Sequence, residues 1–277
     1  MDKPAGPTSH DVVRQVRRAL GTRQVGHAGT LDPFATGLLV VLIGRATRLA
    51  RFVEQQDKTY RGEAVLGVVT DTDDWTGQVV SEQRPERWPA RAEVEAGLAA
   101  LRGTYRQRPP AYSARRVAGR RGYQLAREGK PVDLPATPVT VSELDLLTWE
   151  PPVVAFRAIV SAGTYVRALA RDLGERLGTG AHLRALRRER IGALDVADAI
   201  PLEEIAPGLG LMEPLAVVGH LPRVALSPVE AEVIRHGRAI AAAGAAGQAA
   251  LVAEGHLAAV AEGSDDHWQP RVVLQSA

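Results

Sequence analysis

The sequence predicts an α+β chain that ends in a small β-rich segment. Three observations carry that reading. Apolar residues alternate with period two around Tyr60, and two further strands read over Val139 to Leu147 and Val153 to Val160, joined by a Glu150-Pro151-Pro152 turn. Apolar stripes at helical spacing follow Thr8 and Thr164. The composition shifts after Leu221-Pro222, which sets the expected domains at 1–220 and 221–277. A chain of 277 residues, 45% of them hydrophobic, can bury a sizeable core as one large domain or one large plus one small.

In chain order, Thr8-Ser9-His10-Asp11 is a helix start, with Thr8 and Asp11 at capping-box spacing. Val12, Val13, Val16 and Leu20 then form one stripe, and Gly21 ends it. Next comes Gly26-His27-Ala28-Gly29-Thr30-Leu31-Asp32-Pro33-Phe34-Ala35-Thr36-Gly37, followed by the apolar run 38–43, read as one buried strand. The residue before a proline is pushed toward extended angles, so Asp32 is expected on a bent, non-helical backbone. A carboxylate on a stiff loop anchored to a buried strand suits nucleophilic or acid–base work. A turn in which Asp32 caps its own backbone is the ordinary alternative.

Tyr60, Gly62, Ala64, Leu66 and Val68 alternate along a strand that ends in the turn Asp71-Thr72-Asp73-Asp74-Trp75-Thr76-Gly77. The three Asp residues do not match a calcium loop, so a solvated turn is expected there. A short helix is read over Val94 to Leu101. The basic segment Gln107 to Arg116, continuing through Gly119 and Tyr123 to Arg127, interleaves Tyr with Arg. That suits single-stranded nucleic acid as well as an ordinary surface loop. Strands follow at Val139 to Leu147 and Val153 to Val160. Then Gly163 closes the strand, Thr164 can cap, and Val166, Leu169, Ala170 and Leu173 stripe a helix. Arg167 sits in the first turn of that helix, where the dipole disfavours a cation, so a carboxylate or phosphate partner is expected. In the last segment a helix is read around Val229 to Arg235, a hairpin through Glu254-Gly255, and a strand over Arg271 to Gln275.

Charge and composition limit the function classes. The net charge is only +2, yet Lys occurs only at 3, 58 and 130 among 34 basic residues, so the rest are Arg. The clusters Arg14/Arg17/Arg18, Arg115/Arg116, Arg120/Arg121 and Arg184/Arg187/Arg188/Arg190 read either as phosphate-binding patches or as solvated faces. With no Cys there is no disulfide framework and no thiolate metal site, which fits a cytoplasmic protein. No apolar run approaches the ~18 residues of a membrane span, and no targeting extension is expected.

Five motifs together resemble one family. Lys3-Pro4-Ala5-Gly6-Pro7-Thr8-Ser9, the Gly26 to Gly37 stretch, Lys58-Thr59-Tyr60, Pro109 to Ala114 and Gly163-Thr164-Tyr165-Val166-Arg167 occur in the order found in the TruB family, the bacterial tRNA pseudouridine-55 synthases. The resemblance spans residues 2 to about 195, and residues 221–277 resemble the family's small PUA-type RNA-binding domain. It implies a large mixed, mostly antiparallel sheet with flanking helices, the pseudouridine synthase fold. It also implies isomerisation of one T-loop uridine of tRNA, with the N1–C1′ bond broken and C5–C1′ formed.

Position by position, Asp32 is similar to the catalytic carboxylate, Tyr60 to the ring stacked on the target uracil, and Arg167 to the Arg paired with that carboxylate. His27 resembles the residue that enters the RNA where the base has left, and Leu186 an apolar residue of the pocket. Tyr165, Lys3 and Arg116 complete the RNA-binding set. An Asp32–Arg167 pair with the Tyr60 ring in one cleft is the geometric expectation.

General chemistry fits these residue types. A base buried in a folded loop must flip out at roughly a few kcal/mol, and aromatic stacking returns ~1–3 kcal/mol. A carboxylate acts as nucleophile only when ionised, and a neighbouring Arg favours that form. An internal rearrangement needs no cofactor and no metal. The expected partner is the tRNA T stem-loop, with the protein acting as a monomer. A guide-RNA-dependent relative and a catalytically silent tRNA-binding or folding protein are the competing readings.

Three departures from the family pattern stand out. The strand that usually leads into the Lys-Pro motif is expected to be missing, or the start at Met1 to be placed late. Arg116 stands where most members have Lys. The C-terminal segment is short.

Overall fold

The computed structural model describes residues 1–113, 116–117, 120–121 and 134–274. Among the residues read above, Ala114, Arg115, Gly119, Tyr123, Arg127, Lys130 and Gln275 lie outside that range. The chain forms two compact units, one of Met1–Pro33, Leu38–Gln56 and Ile191–Ala277, the other of Phe34–Gly37 and Asp57–Arg190.

The first unit opens with the helix Ser9–Ala19. Thr8 caps it, and the Thr8/Asp11 box is closed in both directions. Val12, Val13 and Val16 are buried along its stripe, as the 3.6-residue period requires. The three Arg residues of this helix do not form one patch. Arg14 pairs with Asp11 on the surface, while the half-buried Arg17 donates to the Val25 carbonyl at 2.8 Å. A two-residue strand, Asp2–Lys3, precedes the helix, and Asp2 is bridged to Pro201.

The run 38–43 is not one strand. Val40–Ile43 pairs antiparallel with Val25–Ala28, and a separate strand, Thr36–Leu38, ends before the fully buried Leu39.

The unit's C-terminal sheet has the order Arg223–Ala225, Gly247–Ala253, His256–Ser264, His267–Val273, Ile240–Ala241. One core joins Ala28, Leu42, Phe52 and Val218 to Val260 and Val272 of this sheet. A second core, with Ile234, Leu251, Ala259 and Trp268, covers the opposite face. A sheet covered on both faces needs continuous apolar strands, which is why Leu257 to Ala261 does not alternate. The β-rich C-terminal segment is therefore present, and its core is shared with N-terminal residues across the expected boundary at 220.

In the second unit six strands run in the order Thr36–Leu38, Ala181–Ile191, Lys58–Leu66, Val153–Val160, Thr137–Glu150, Gly103–Gln107. The last three pairings are antiparallel, while Thr36–Leu38 joins Ala181–Ile191 in parallel. This is the mixed sheet that the resemblance implied. Gly37 has φ 99° at the parallel pairing, where a Cβ would collide with the Arg188 backbone, so no other residue fits there.

The helix Val166–Arg176 buries Val166, Ala168, Leu169, Ala170 and Leu173. The helix expected near Val94 runs Arg91–Ala99. No element was read over Ala181–Ile191, which is an eleven-residue strand. Its Arg residues are not one basic face: Arg184 is exposed and meets Glu63 at 3.0 Å, whereas Arg188 is buried.

Candidate active site

Asp32 is half-buried on a non-helical loop, as the following proline requires. The backbone on both sides of it is braced by the N-terminal motif. The Ser9 hydroxyl, 2% exposed, accepts from the Leu31 N–H at 2.9 Å and donates to the Leu31 carbonyl at 3.1 Å. On the other side, the Gly6 N–H donates to the Pro33 carbonyl at 2.8 Å. The Lys3 ammonium donates to the same carbonyl at 3.1 Å and to that of Pro4 at 2.8 Å.

Lys3 is fully buried, which corrects its expected place among RNA-contacting residues: it braces the Asp32 loop. His27 is half-buried on Val25–Ala28, opposite Val41.

In the second unit Tyr60 is buried on its strand, opposite Ala158. Leu186 is buried on Ala181–Ile191, and its carbonyl lies 3.4 Å from the Thr36 hydroxyl. The backbone of Arg116 belongs to a two-residue strand paired with Arg120–Arg121.

Thr164 does not cap the Arg167 helix. Tyr165 is the N-cap residue, and the Gln107 side chain serves it: Oε1 accepts from the Tyr165 N–H at 2.8 Å and Nε2 donates to its carbonyl at 3.2 Å. Gln107 is buried, so a side-chain amide from a distant strand holds the N-cap residue and satisfies its N–H, one of the helix-start donors.

Arg167, oddly placed at the helix start, has the kind of partner its position demands. Its guanidinium donates to the carbonyls of Thr72 at 2.7 Å and Tyr112 at 2.9 Å, and lies 3.5 Å from the Asp74 carboxylate. The side chains of Arg167 and Asp74 are about equally buried, at 5% and 6% exposed. Removing one member of such a buried pair costs ~3–5 kcal/mol, because the other charge is stranded.

One turn along the helix, Arg171 spans the same two segments. It meets Asp73 at 2.9 Å and the Arg108 carbonyl at 2.8 Å, and also binds its neighbour Asp172. The acidic turn is therefore solvated only in part, with Asp71, Trp75 and Thr76 exposed. Asp73 and Asp74 are buried, Leu183 bonds the backbone of Asp73 and Trp75, and Asp73 has φ 60°.

Burial pushes the Asp73 and Asp172 carboxyls above the usual carboxylate range, against the pull of Arg171. Burial, reinforced by Asp172, pushes Tyr105 up to about 12. An open cleft of about 680 Å³ lies beside Arg171, lined by Asp73, Tyr105, Arg108 and Asp172. The sequence reading missed Ser9, Asp74 and Gln107 as functional side chains. The one available signal was Arg167, whose misfit demanded a carboxylate without saying which.

The fold is a known one. Solved structures of an archaeal box H/ACA sRNP Nop10-Cbf5 complex and of a Cbf5-Nop10-Gar1 complex share it, each at TM-score 0.71 or 0.70. They are 23% and 24% identical, over 99% of this chain and 85% and 82% of those chains.

Family models then match residues 17–166 as TruB family pseudouridylate synthase (N terminal domain) and 167–233 as tRNA pseudouridylate synthase B C-terminal domain. The chain belongs to the TruB family of pseudouridylate synthases. It is 46% identical to tRNA pseudouridine synthase B of Thermobifida fusca (strain YX), over 99% of this chain and 97% of that one. It is 45% identical to the protein of that name from Mycobacterium sp. (strain KMS), over 100% and 95%.

Proposed function

We infer that this chain is a stand-alone tRNA pseudouridine synthase that isomerises the T-loop uridine at position 55. The observation that carries the reading is 46% identity along 97% of a relative named tRNA pseudouridine synthase B. The reaction breaks the N1–C1′ bond and forms C5–C1′, so atoms and electrons balance within the nucleotide and no cofactor is called for.

Asp32 is the catalytic carboxylate in this reading, and Tyr60 stacks on the flipped uracil. Arg167 orients the carboxylate while its other donors grip Thr72 and Tyr112. A flipped base loses a few kcal/mol of stacking, and an aromatic ring returns ~1–3 of them. His27 fills the gap in the RNA, and Leu186, Tyr165 and Arg116 contact the nucleotide or its surroundings. Residues 221–277 act as the small RNA-binding domain. The enzyme works as a cytoplasmic monomer; among the described residues no helix is long and apolar enough to cross a membrane.

The test is to map pseudouridine in a T stem-loop transcript incubated with this protein and no other RNA. Conversion at the one uridine is expected. Conversion that requires an added guide RNA, or none at all, would overturn the reading.

A further inference from the structure

We propose that Ser9 is a positioning residue for the Asp32 carboxylate, an inference that rests on the function just given. Its hydroxyl closes a two-point clamp on the residue before Asp32, accepting from the Leu31 N–H at 2.9 Å and donating to the Leu31 carbonyl at 3.1 Å. One hydroxyl that accepts from the N–H and donates to the carbonyl of the same residue ties down both peptide units that flank Leu31, the second of which leads into Asp32.

Ser9 is able to do this because it is the first residue of the Ser9–Ala19 helix, and Thr8 already serves as the cap. A serine at a helix start usually spends its oxygen on the helix's own N–H groups. Here the Thr8/Asp11 box takes that duty, and the Ser9 oxygen is turned to a loop 22 residues away. The clamp is 2% exposed, so water does not compete for its bonds.

On the far side of Asp32, the Gly6 N–H holds the Pro33 carbonyl at 2.8 Å, with the Lys3 ammonium on the same oxygen at 3.1 Å. Asp32 is thus the middle residue of a three-residue segment whose two neighbours are both fastened to the N-terminal motif. The angle at which its side chain leaves the loop is set by those fastenings. A nucleophile must meet its target within a few tenths of an ångström, and a shift near 1 Å costs ~10²-fold in rate.

The experiment compares S9A, S9T and D32N with the wild type. Each is assayed for single-turnover pseudouridine formation at saturating T stem-loop RNA, for RNA binding by filter retention, and for thermal melting. S9A is expected to lose ~10–100-fold in rate while binding RNA within about threefold of wild type. S9T keeps the hydroxyl and is expected to recover most of that rate. A wild-type rate in S9A overturns the inference, as does equal slowing in S9A and S9T. A fall in rate matched by an equal fall in binding overturns it too. An S9A protein that does not fold would also overturn it, by making the hydroxyl a requirement of the whole unit and not of the loop. The function itself fails separately, if wild-type protein forms no pseudouridine or D32N stays active.

Discussion

The backbone beside Asp32 and the guanidinium of Arg167 are held by different means. Around Asp32 the bonds from Ser9, Gly6 and Lys3 act on the peptide units of Leu31 and Pro33, so the frame is fixed through its backbone. Around Arg167 it is the charged head itself that is gripped, by two carbonyls and the buried Asp74. The difference teaches where each residue is vulnerable. Changing the Asp32 side chain leaves its frame standing, whereas changing Arg167 removes the frame along with the charge.

The largest effect should come from D32N. In the role proposed above, loss of the carboxylate costs ~10⁴-fold or more in single-turnover rate. Melting temperature and RNA affinity should stay near wild type, because the bracing bonds to Leu31 and Pro33 remain. A large drop in stability would erase the contrast between the two regions.

R167A should show the reverse balance. It strands the Asp74 carboxylate and leaves the Thr72 and Tyr112 carbonyls without their donor, so unfolding free energy in urea should fall by ~3–5 kcal/mol. R167A/D74A should recover part of that loss, since no buried charge is then left alone. If the double variant is no more stable than R167A, the pair is not the grip described.

A smaller effect is expected at the helix that carries Ser9. T8A removes the cap and half of the Thr8/Asp11 box, and should cost about 0.5–2 kcal/mol in the same urea titration. No measurable change would mean that the helix start is held by the Ser9–Leu31 bonds alone.

The smallest differences lie in pH dependence, and the two regions should differ in sign. Thr8 hydrogen bonds and Arg14 hold the Asp11 carboxyl down to about 2, from an ordinary 3.8. Its contribution is present above the ordinary value and is lost as pH falls toward 2. Asp73 and Asp172 are shifted upward by burial. The folded chain therefore takes up their protons before the unfolded one does, and they weaken stability as pH rises through the window just above 3.8. Carboxyl-carbon NMR titration of the three residues checks this directly. An Asp73 midpoint below that of Asp11 would reverse the assignment.

Much of the fold was legible because its signals are local. The capping box at Thr8 and Asp11, the stripe of Val12, Val13 and Val16, and the alternation from Tyr60 to Leu66 each depend on residues a few positions apart. The strand Ala181–Ile191 was not legible. Its Arg residues break any alternation, and the sheet buries Arg188 while leaving Arg184 to Glu63 at the surface. The acidic turn misled for a related reason. Three Asp residues within four positions look solvated, and Asp71 is, but Arg167 and Arg171, far along the chain, arrive to neutralise the buried Asp74 and Asp73.

The sequence by itself determined which residues to suspect: an Asp held between glycines and a proline, and an Arg where the helix dipole opposes it. Chain-local stereochemistry and electrostatics were enough for that. Only the tertiary structure decided their partners. Hydrogen bonds and buried ion pairs join residues with no sequence relation, so nothing local could show that Ser9 fastens Leu31, that Gln107 serves the end of the Arg167 helix, or that Asp74 receives Arg167.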